Sequence, residues 1–405
     1  MEYRFVSDVT PEEYMSWIET LDNYNIMQTP NWAKVKIDWK STLCLLYCDG
    51  KPVAGSLLLI RKFAPFLKII YAPRGFIADY SDENAVREFT EGLMQYAKKI
   101  GAYMVRIDPE LIVSTNYKNT VVNSFEGRTN MSYLQKYGFR HMGWAKDFQT
   151  YTQPRFNAEI SLIDADGKTL SDEALAQSFD KKIRKFIGHY TAVRGIFFEY
   201  DTGRNAVRNF SEISAHTEER QHILLRSESY FKRIFNAFGD KNVIFFAKMD
   251  LDKLTAFLEE QINMGDSETV ETAKKDLETA RVLKVEKGNI ITLSALLTVR
   301  SNSTAYLLYS GFDDSIFPRF RTTNQLRFEA MRYFAKRGCK TFSLMGINGD
   351  LNDSLSDFKL KFNPTVVEYA GEFELPVKKF RYVFMRKFLP ITKRIYIKIK
   401  LKKVK

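Results

Sequence analysis

The chain repeats itself at one spacing, and that spacing is the size of a domain. Gly50-Lys51-Pro-Val-Ala-Gly-Ser-Leu-Leu-Leu59 is echoed 238 positions later by Gly288-Asn289-Ile-Ile-Thr-Leu-Ser-Ala-Leu-Leu297. At the same offset Tyr71 meets Tyr309, and Tyr96-Ala-Lys-Lys meets Phe334-Ala-Lys-Arg. Periods of 20–50 residues mark solenoids, whereas a period this long marks a duplicated domain. Two fused domains share one junction, and a substrate cleft is expected there.

Each copy reads alike. Residues 42–47 form an apolar strand, Asp49-Gly50 is a two-residue hairpin turn, and 53–60 is the return strand. A third strand follows at 68–72. Val86, Phe89, Leu93, Tyr96 and Ala97 recur near helical spacing over 84–99, before a strand at 103–107. The second copy has strands at 243–247, 290–299 and 305–309, a helix at 324–336 and a strand at 341–345. The pattern predicts an α/β (α+β) fold, with a mixed sheet and crossover helices in each half.

The second copy carries an insertion. Leu45 aligns with Phe245 at an offset of 200, so 38 extra residues enter at the hairpin turn, over 251–288. Leu251, Leu254, Leu258 and Ile262, then Val270, Ala273, Leu277 and Ala280, form two heptad-like seams around a turn at Gly265-Asp266-Ser267. This predicts an antiparallel helical arm, either a surface for a large partner or a brace for its domain. The expected divisions are a first subdomain over 1–150 and a second over 151–364 that contains the arm. A strand over 365–375 then returns to the body, and a basic tail completes 365–405.

Charge is concentrated. Of the net +12, residues 378–405 hold twelve Lys or Arg and no Asp or Glu, so the remainder balances at 49 bases against 49 acids. Such a segment seeks membrane headgroups or nucleic acid phosphates, or simply solubilises the chain. Phe380, Phe384 and Phe388 recur every four residues among its bases, the pattern of a basic amphipathic helix that Pro390 ends. No apolar run is long enough to cross a membrane, and the first residues lack a signal-peptide pattern. Three cysteines build no disulfide framework. A cytoplasmic protein, peripheral at the inner membrane face, is expected.

Common catalytic motifs are missing. There is no GxxxxGK[ST] loop and no HExxH, and Cys44 and Cys48 have no companions at metal-ligand spacing. What remains is an ordered series of basic, aromatic and acidic residues at element ends. It runs through Gln28-Thr-Pro-Asn-Trp-Ala-Lys-Val-Lys36, Tyr71-Ala-Pro-Arg-Gly75, Arg106-Ile-Asp-Pro109, Glu219-Arg220, Arg226-Ser-Glu-Ser-Tyr230-Phe231 and Asp353-Ser-Leu-Ser-Asp-Phe358-Lys359. This series resembles the Fem family of peptidoglycan-bridge aminoacyltransferases (the FemA, FemX and MurM type) over nearly the whole chain. That family's duplicated GNAT-like (acyl-CoA N-acyltransferase-like) domain agrees with the repeat.

The resemblance implies transfer of an amino acid (glycine, alanine or serine) from aminoacyl-tRNA. The acceptor is the side-chain amine of the third residue of a wall-precursor peptide, on lipid II or still linked to UDP as UDP-MurNAc-pentapeptide. It implies no metal or organic cofactor, with aminoacyl-tRNA as co-substrate. By the same resemblance Lys36 and Arg226 hold the precursor's diphosphate, and Tyr230 contacts the precursor. Tyr309 is a site tyrosine, or else a core aromatic. Asp108 is a candidate general base, or equally a structural turn aspartate. Lys359 stabilises the oxyanion near the tRNA acceptor end, with help from the Phe358 N–H. Two other readings stand beside this one. An acyl-CoA acyltransferase would need a pyrophosphate loop, and Gln135-Lys-Tyr-Gly-Phe-Arg140 matches its pattern except at the last position. A non-catalytic tRNA- or membrane-binding protein would keep the arm and tail without depending on Lys359.

Overall fold

A computed structural model of the chain describes residues 1–64, 67–189, 195–221, 226–265, 267–313 and 315–387. The first copy runs β1 (Tyr3–Ser7), α1 (Pro11–Ile18), α2 (Pro30–Val35), β2 (Lys40–Cys48), β3 (Lys51–Ala64), β4 (Leu67–Ala72), β5 (Ile77–Ala78), α3 (Glu83–Lys99) and β6 (Met104–Ile107). Next come β7 (Ile112–Tyr117), β8 (Thr120–Asn123), α4 (Phe125–Lys136) and β9 (Arg140–His141). The second copy opens with β10 (Phe156–Ser161), α5 (Asp172–Ser178), α6 (Lys181–His189), β11 (Ile196–Asp201), α7 (Arg204–Gln221), α8 (Glu228–Phe238) and β12 (Asn242–Asp250). It continues through α9 (Leu251–Met264), α10 (Ser267–Lys287), β13 (Ile290–Arg300), β14 (Thr304–Phe312), α11 (Thr322–Ala335), β15 (Thr341–Ile347), α12 (Ser354–Leu360), β16 (Thr365–Tyr369) and β17 (Phe373–Pro376).

These strands form two mixed sheets flanked by helices, the fold class expected of two GNAT-like subdomains. One sheet has the order β1-β2-β3-β4-β6-β17-β9, with β5 on β3; the other is β11-β12-β13-β14-β15-β10-β16-β7-β8. The β4–β6 and β14–β15 pairs are parallel and every other described pair is antiparallel. Each parallel pair is bridged by a helix, α3 or α11, as a crossover requires. The repeat holds in register: Leu59 faces Tyr71, and Leu297 faces Tyr309. At the first hairpin Asp49 and Gly50 take φ of 47° and 80°, the geometry of a tight turn with both central residues left-handed.

At the matching place in the second copy, α9 and α10 leave the sheet. The Asp250 carboxylate caps α9 by accepting from the N–H groups of Asp252 and Lys253. Leu251, Leu254 and Leu258 bury against Ala273, Leu277, Ala280 and Leu283. The root closes where the Leu251 N–H donates to the Asn289 carbonyl at 2.9 Å.

The two sheets do not divide at one chain position. The β7–β8 hairpin, inside 1–150, pairs into the second sheet through β16, while β17 enters the first sheet between β6 and β9. The single strand expected over 365–375 is therefore two strands in two sheets. Gly371, at φ 92°, makes the break. A Cβ there would lie 2.9 Å from the Arg155 side chain, so only glycine fits without a shift. Arg106 fastens the returning strand by ion pairs to Glu372 (3.1 Å) and Glu374 (2.6 Å).

Between the halves lies a shared core. Trp17, Trp32, Leu57 and Tyr71 from the first copy pack with Phe210, Phe231, Ile234 and Leu297 from the second. Residues 379–387 form a helix beyond β17. Its Tyr382 is buried with Tyr103 and Met104, whereas Phe380 is 95% and Phe384 57% exposed. Phe388 and the rest of the basic tail, 388–405, lie outside the described residues.

Candidate active site

Lys36 ends α2, a helix that Thr29 caps by accepting the Trp32 N–H at 3.3 Å and that Pro30 pre-sets at its first position. Its ammonium lies 4.7 Å from the Trp32 ring centroid and donates to the Tyr230 hydroxyl at 3.3 Å. Tyr230 comes from α8 of the other half. The Arg226 and Arg233 guanidinium carbons sit 5.1 and 5.4 Å from the same tyrosine ring. Arg233 also donates to the Val35 carbonyl at 3.3 Å. Burial, then Arg226 and Arg233, push the Lys36 pKa down to about 8, with Asp38 opposing. Three cations around one ring make a place where a polyanion relieves repulsion. Burial, then Tyr309, hold the Tyr230 pKa well above the usual phenol value, and the Tyr309 ring stands edge-on at 6.2 Å. Lys36, Arg226, Tyr230 and Tyr309 thus form one cluster across the junction.

Beyond Tyr309 the second sheet opens. In the first copy β4 and β6 stay paired to the end, through Ala72 and Ile107. In the second, β14 and β15 pair only from Thr304/Thr341 to Tyr306/Ser343, though β14 runs on to Phe312 and β15 to Ile347. Lys359 stands at this opening. Asp353 caps α12 through the N–H groups of Leu355 and Ser356, and the helix carries Lys359 so that its ammonium donates to the Gly346 carbonyl at 2.8 Å. Burial, then the Arg327 charge, pull the Lys359 pKa down to about 7, with Asp353 opposing.

Arg327 projects from α11 on the other side. Its guanidinium donates to the Thr323 carbonyl (2.9 Å) and reaches the Ser310 hydroxyl (3.4 Å), next to Tyr309 on β14. It lies 4.8 Å from the Phe358 ring centroid. Burial lowers its pKa to about 10, and its Nε has no hydrogen-bond partner among the described residues.

Asp108 is not brought to this opening. It is 2% exposed, and both oxygens are occupied: Oδ2 accepts the Tyr71 hydroxyl at 2.7 Å and Oδ1 the Arg74 N–H at 2.5 Å. The geometry is that of a structural turn aspartate. Burial, against the pull of Arg74 and Tyr71, raises its pKa to about 7. The Phe358 N–H is also unsuited to an oxyanion. It falls one residue past Asp357, whose N–H already bonds the Asp353 carbonyl, and so belongs to the α12 ladder. The Phe358 ring instead lies between Arg327 and Phe362.

The FemAB family model matches residues 9–278 and 263–388, nearly the whole chain. The chain belongs to the FemAB family. It is 26% identical over 430 residues to a lipid II:glycine glycyltransferase of Staphylococcus haemolyticus (strain JCSC1435), covering 97% of both chains. It is 26% identical over 431 residues to that of Staphylococcus aureus (strain MSSA476), covering 96% of this chain and 97% of that protein. The crystal structure of FemX superposes with a TM-score of 0.78 at 23% identity, over 95% of this chain and 100% of FemX, a likeness of fold.

In this FemAB protein two cations escaped the motif reading. Arg233 follows Tyr230 by three residues and Arg226 by seven, a spacing that repeats on one helix face. Arg327 was legible in the duplication itself. The same offset of 238 sets it against Phe89, a fully buried core residue stacked on Phe76 at 4.3 Å. A core phenylalanine in one copy has become an arginine in the other. The acyl-CoA loop candidate fails for a structural reason. Gly138 stands just past the C-terminus of α4, and phosphate binding on backbone amides uses a helix N-terminus.

Proposed function

We propose that this FemAB-family protein transfers glycine from aminoacyl-tRNA to the side-chain amine of the third stem-peptide residue of lipid II. It is an enzyme of the aminoacyltransferase class. The observation that carries the reading is the Lys359 ammonium at the splayed ends of β14 and β15, one strand from the Lys36–Arg226–Arg233 cluster. The names of the similar proteins, lipid II:glycine glycyltransferases, support glycine over alanine or serine as the donated residue.

The chemistry is substitution at an activated ester. The neutral acceptor amine attacks the ester carbonyl, a C–N bond forms and an oxyanion develops. When the C–O bond to the ribose breaks, the ribose oxygen leaves with a proton that the nitrogen gives up. The Lys359 ammonium stabilises the oxyanion, and Arg327 keeps that site electropositive. Because its pKa lies near 7, Lys359 exchanges protons readily at neutral pH. Lys36, Arg226 and Arg233 hold the diphosphate, with Tyr230 as the platform between them. The ester supplies the driving force, so the step draws on no metal or organic cofactor.

A lipid-linked acceptor fits the other end of the chain. Phe380, Arg381, Phe384 and Met385 line an open groove of about 640 Å³ with Ala64 and Leu67. Phe63, 58% exposed, and Arg61 and Lys62 lie on the adjoining end of β3. Exposed aromatic rings among bases suit an anionic membrane surface, where this helix and the tail beyond it act as a peripheral contact. No described helix is long and apolar enough to cross a membrane.

The test is a reconstituted reaction of purified protein, charged tRNA and lipid II or its UDP-linked counterpart, reading labelled glycine on the peptide. Transfer is expected with glycyl-tRNA and lipid II and lost in Lys359→Met. Full transfer by Lys359→Met, or acylation from an acyl-CoA alone, would sink the reading.

A further inference from the structure

We propose that α6 is the surface on which the phosphate backbone of the donor RNA docks; this rests on the reading of aminoacyl-tRNA as donor. Helix α6 reads Lys181-Lys-Ile-Arg-Lys-Phe-Ile-Gly-His189. At about 100° per residue, Arg184, Lys181, Lys185 and Lys182 spread over roughly 160° of its circumference. All four side chains are exposed. Ile183 and Ile187 are buried in the core of the second half, and Phe186 packs on the cluster at the root of the arm. The helix therefore shows the solvent one continuous cationic face.

The placement of α6 gives that face its meaning. At its start the Asp180 N–H donates to the Lys361 carbonyl at 3.0 Å, two residues beyond Lys359. Phe179 packs edge-on to Phe362 (5.4 Å), and Phe362 to Phe358 (5.7 Å). At its far end Phe186 joins the cluster that contains Phe317, Phe320 and Leu254 at the base of α9. The helix thus runs roughly 13 Å from beside the Lys359 helix towards the arm, and its four bases lie along about the first 6 Å. A charged RNA whose terminal ester lies at Lys359 must place its next phosphates outside the opening, and α6 is the cationic surface there. Each neutralised phosphate releases condensed counterions, which makes such a contact strong and salt-dependent.

A membrane is the weaker occupant of this face. A helix that lies in a bilayer interface inserts apolar side chains, and those of α6 are already committed to the protein core. The exposed rings are at Phe380 and Phe384 instead.

The experiment uses the full chain and the double variant Lys182→Gln/Lys185→Gln, at exposed positions outside the transfer site. Three readouts are taken: binding of uncharged tRNA against salt, binding to vesicles that contain anionic lipid, and transfer kinetics with glycyl-tRNA. Expected are a roughly ten-fold weaker affinity, a log–log salt slope shallower by about two, a KM for glycyl-tRNA raised to match and an unchanged kcat. A short charged RNA that carries only the CCA end should be used equally well by both proteins. Unchanged tRNA affinity and salt slope would overturn the proposal. So would a loss of binding to anionic vesicles with tRNA affinity intact, which would assign the face to lipid. If wild-type protein transfers glycine from no charged tRNA, the donor reading fails by itself, and the binding measurement still decides whether α6 holds RNA.

Discussion

The Tyr71 hydroxyl donates to Asp108 at 2.7 Å, and at the repeat offset the same two positions are Tyr309 and Gly346. One copy closes the gap between its parallel strands with a tyrosine–carboxylate bond. The other has no carboxylate there, its strands part, and the ammonium of Lys359 bonds the Gly346 carbonyl. Duplication thus leaves one half sealed and one half open.

Asp108→Asn should therefore keep most of the transfer rate and change how stability depends on pH. With its folded pKa raised to about 7, Asp108 holds a proton that the unfolded chain releases near pH 4. Its contribution is fully present below pH 4 and lost as pH rises through 7. Thermal unfolding from pH 4 to 8 should show a gentler fall in Tm for the variant than for wild type. Glu159, also raised to about 7, retains its own share of the slope. A hundred-fold loss of rate in Asp108→Asn would restore a catalytic role.

Removing the Lys359 ammonium should lower kcat by about 100- to 1000-fold, the usual cost of one oxyanion donor. The charged form is lost as pH rises through about 7, so the wild-type rate on pre-bound substrates should fall on that side. Arg327 lowers this pKa, so Arg327→Met should move the alkaline limb to higher pH. A limb that stays in place would separate the two residues.

Lys36→Ala and Arg233→Ala should act on binding. A charge-assisted hydrogen bond contributes about 1.5–3 kcal/mol, so KM for the diphosphate-bearing acceptor should rise about 10- to 150-fold, with kcat nearly constant. An acceptor peptide without the diphosphate should not distinguish either variant from wild type. Selective loss with that peptide would contradict the assignment.

Phe380→Ala/Phe384→Ala should weaken binding to vesicles that contain anionic lipid and leave transfer to a UDP-linked acceptor unchanged. Both side chains are exposed, and Tyr382 and Met385 anchor the helix, so the fold should be unaffected. Wild-type vesicle affinity in the double variant would remove this patch from the membrane contact.

Gly371→Ala should cost about 1–2 kcal/mol through its left-handed backbone alone, and more through the Arg155 side chain it would meet. Calorimetry should show a Tm lower by a few degrees, with unfolding of both halves still coupled. A loss near 1 kcal/mol would mean that Arg155 moves aside freely, and an unchanged Tm would contradict the backbone requirement itself.

Local order was legible because local signals agreed. Asp49-Gly50 could only turn, and the seams at Leu251–Leu258 and Ala273–Ala280 could only be buried by each other. The cluster of Lys36, Arg226, Tyr230 and Tyr309 was legible as a set through resemblance, though nothing in its spacing announced that α2 and α8 meet. Long-range exchange was hidden. Alternation over 365–375 looks like one strand, and only the positive φ of Gly371 separates Tyr369 in one sheet from Phe373 in the other. A motif does not say where a helix begins, and Asp353 begins α12 early enough to enclose the Phe358 N–H.

The exchange of β17 also bears on how the protein is made. Arg106 and its partner Glu374 are 268 residues apart in the chain. Synthesis at 5–20 residues per second separates them by roughly 10 to 50 seconds. Throughout that interval β6 presents a bare edge, and β9 has no neighbour, since β17 is the strand that joins them. The nascent first half must wait with that slot vacant, exposed to any other strand that comes near, until the last strand of the sheet emerges to fill it.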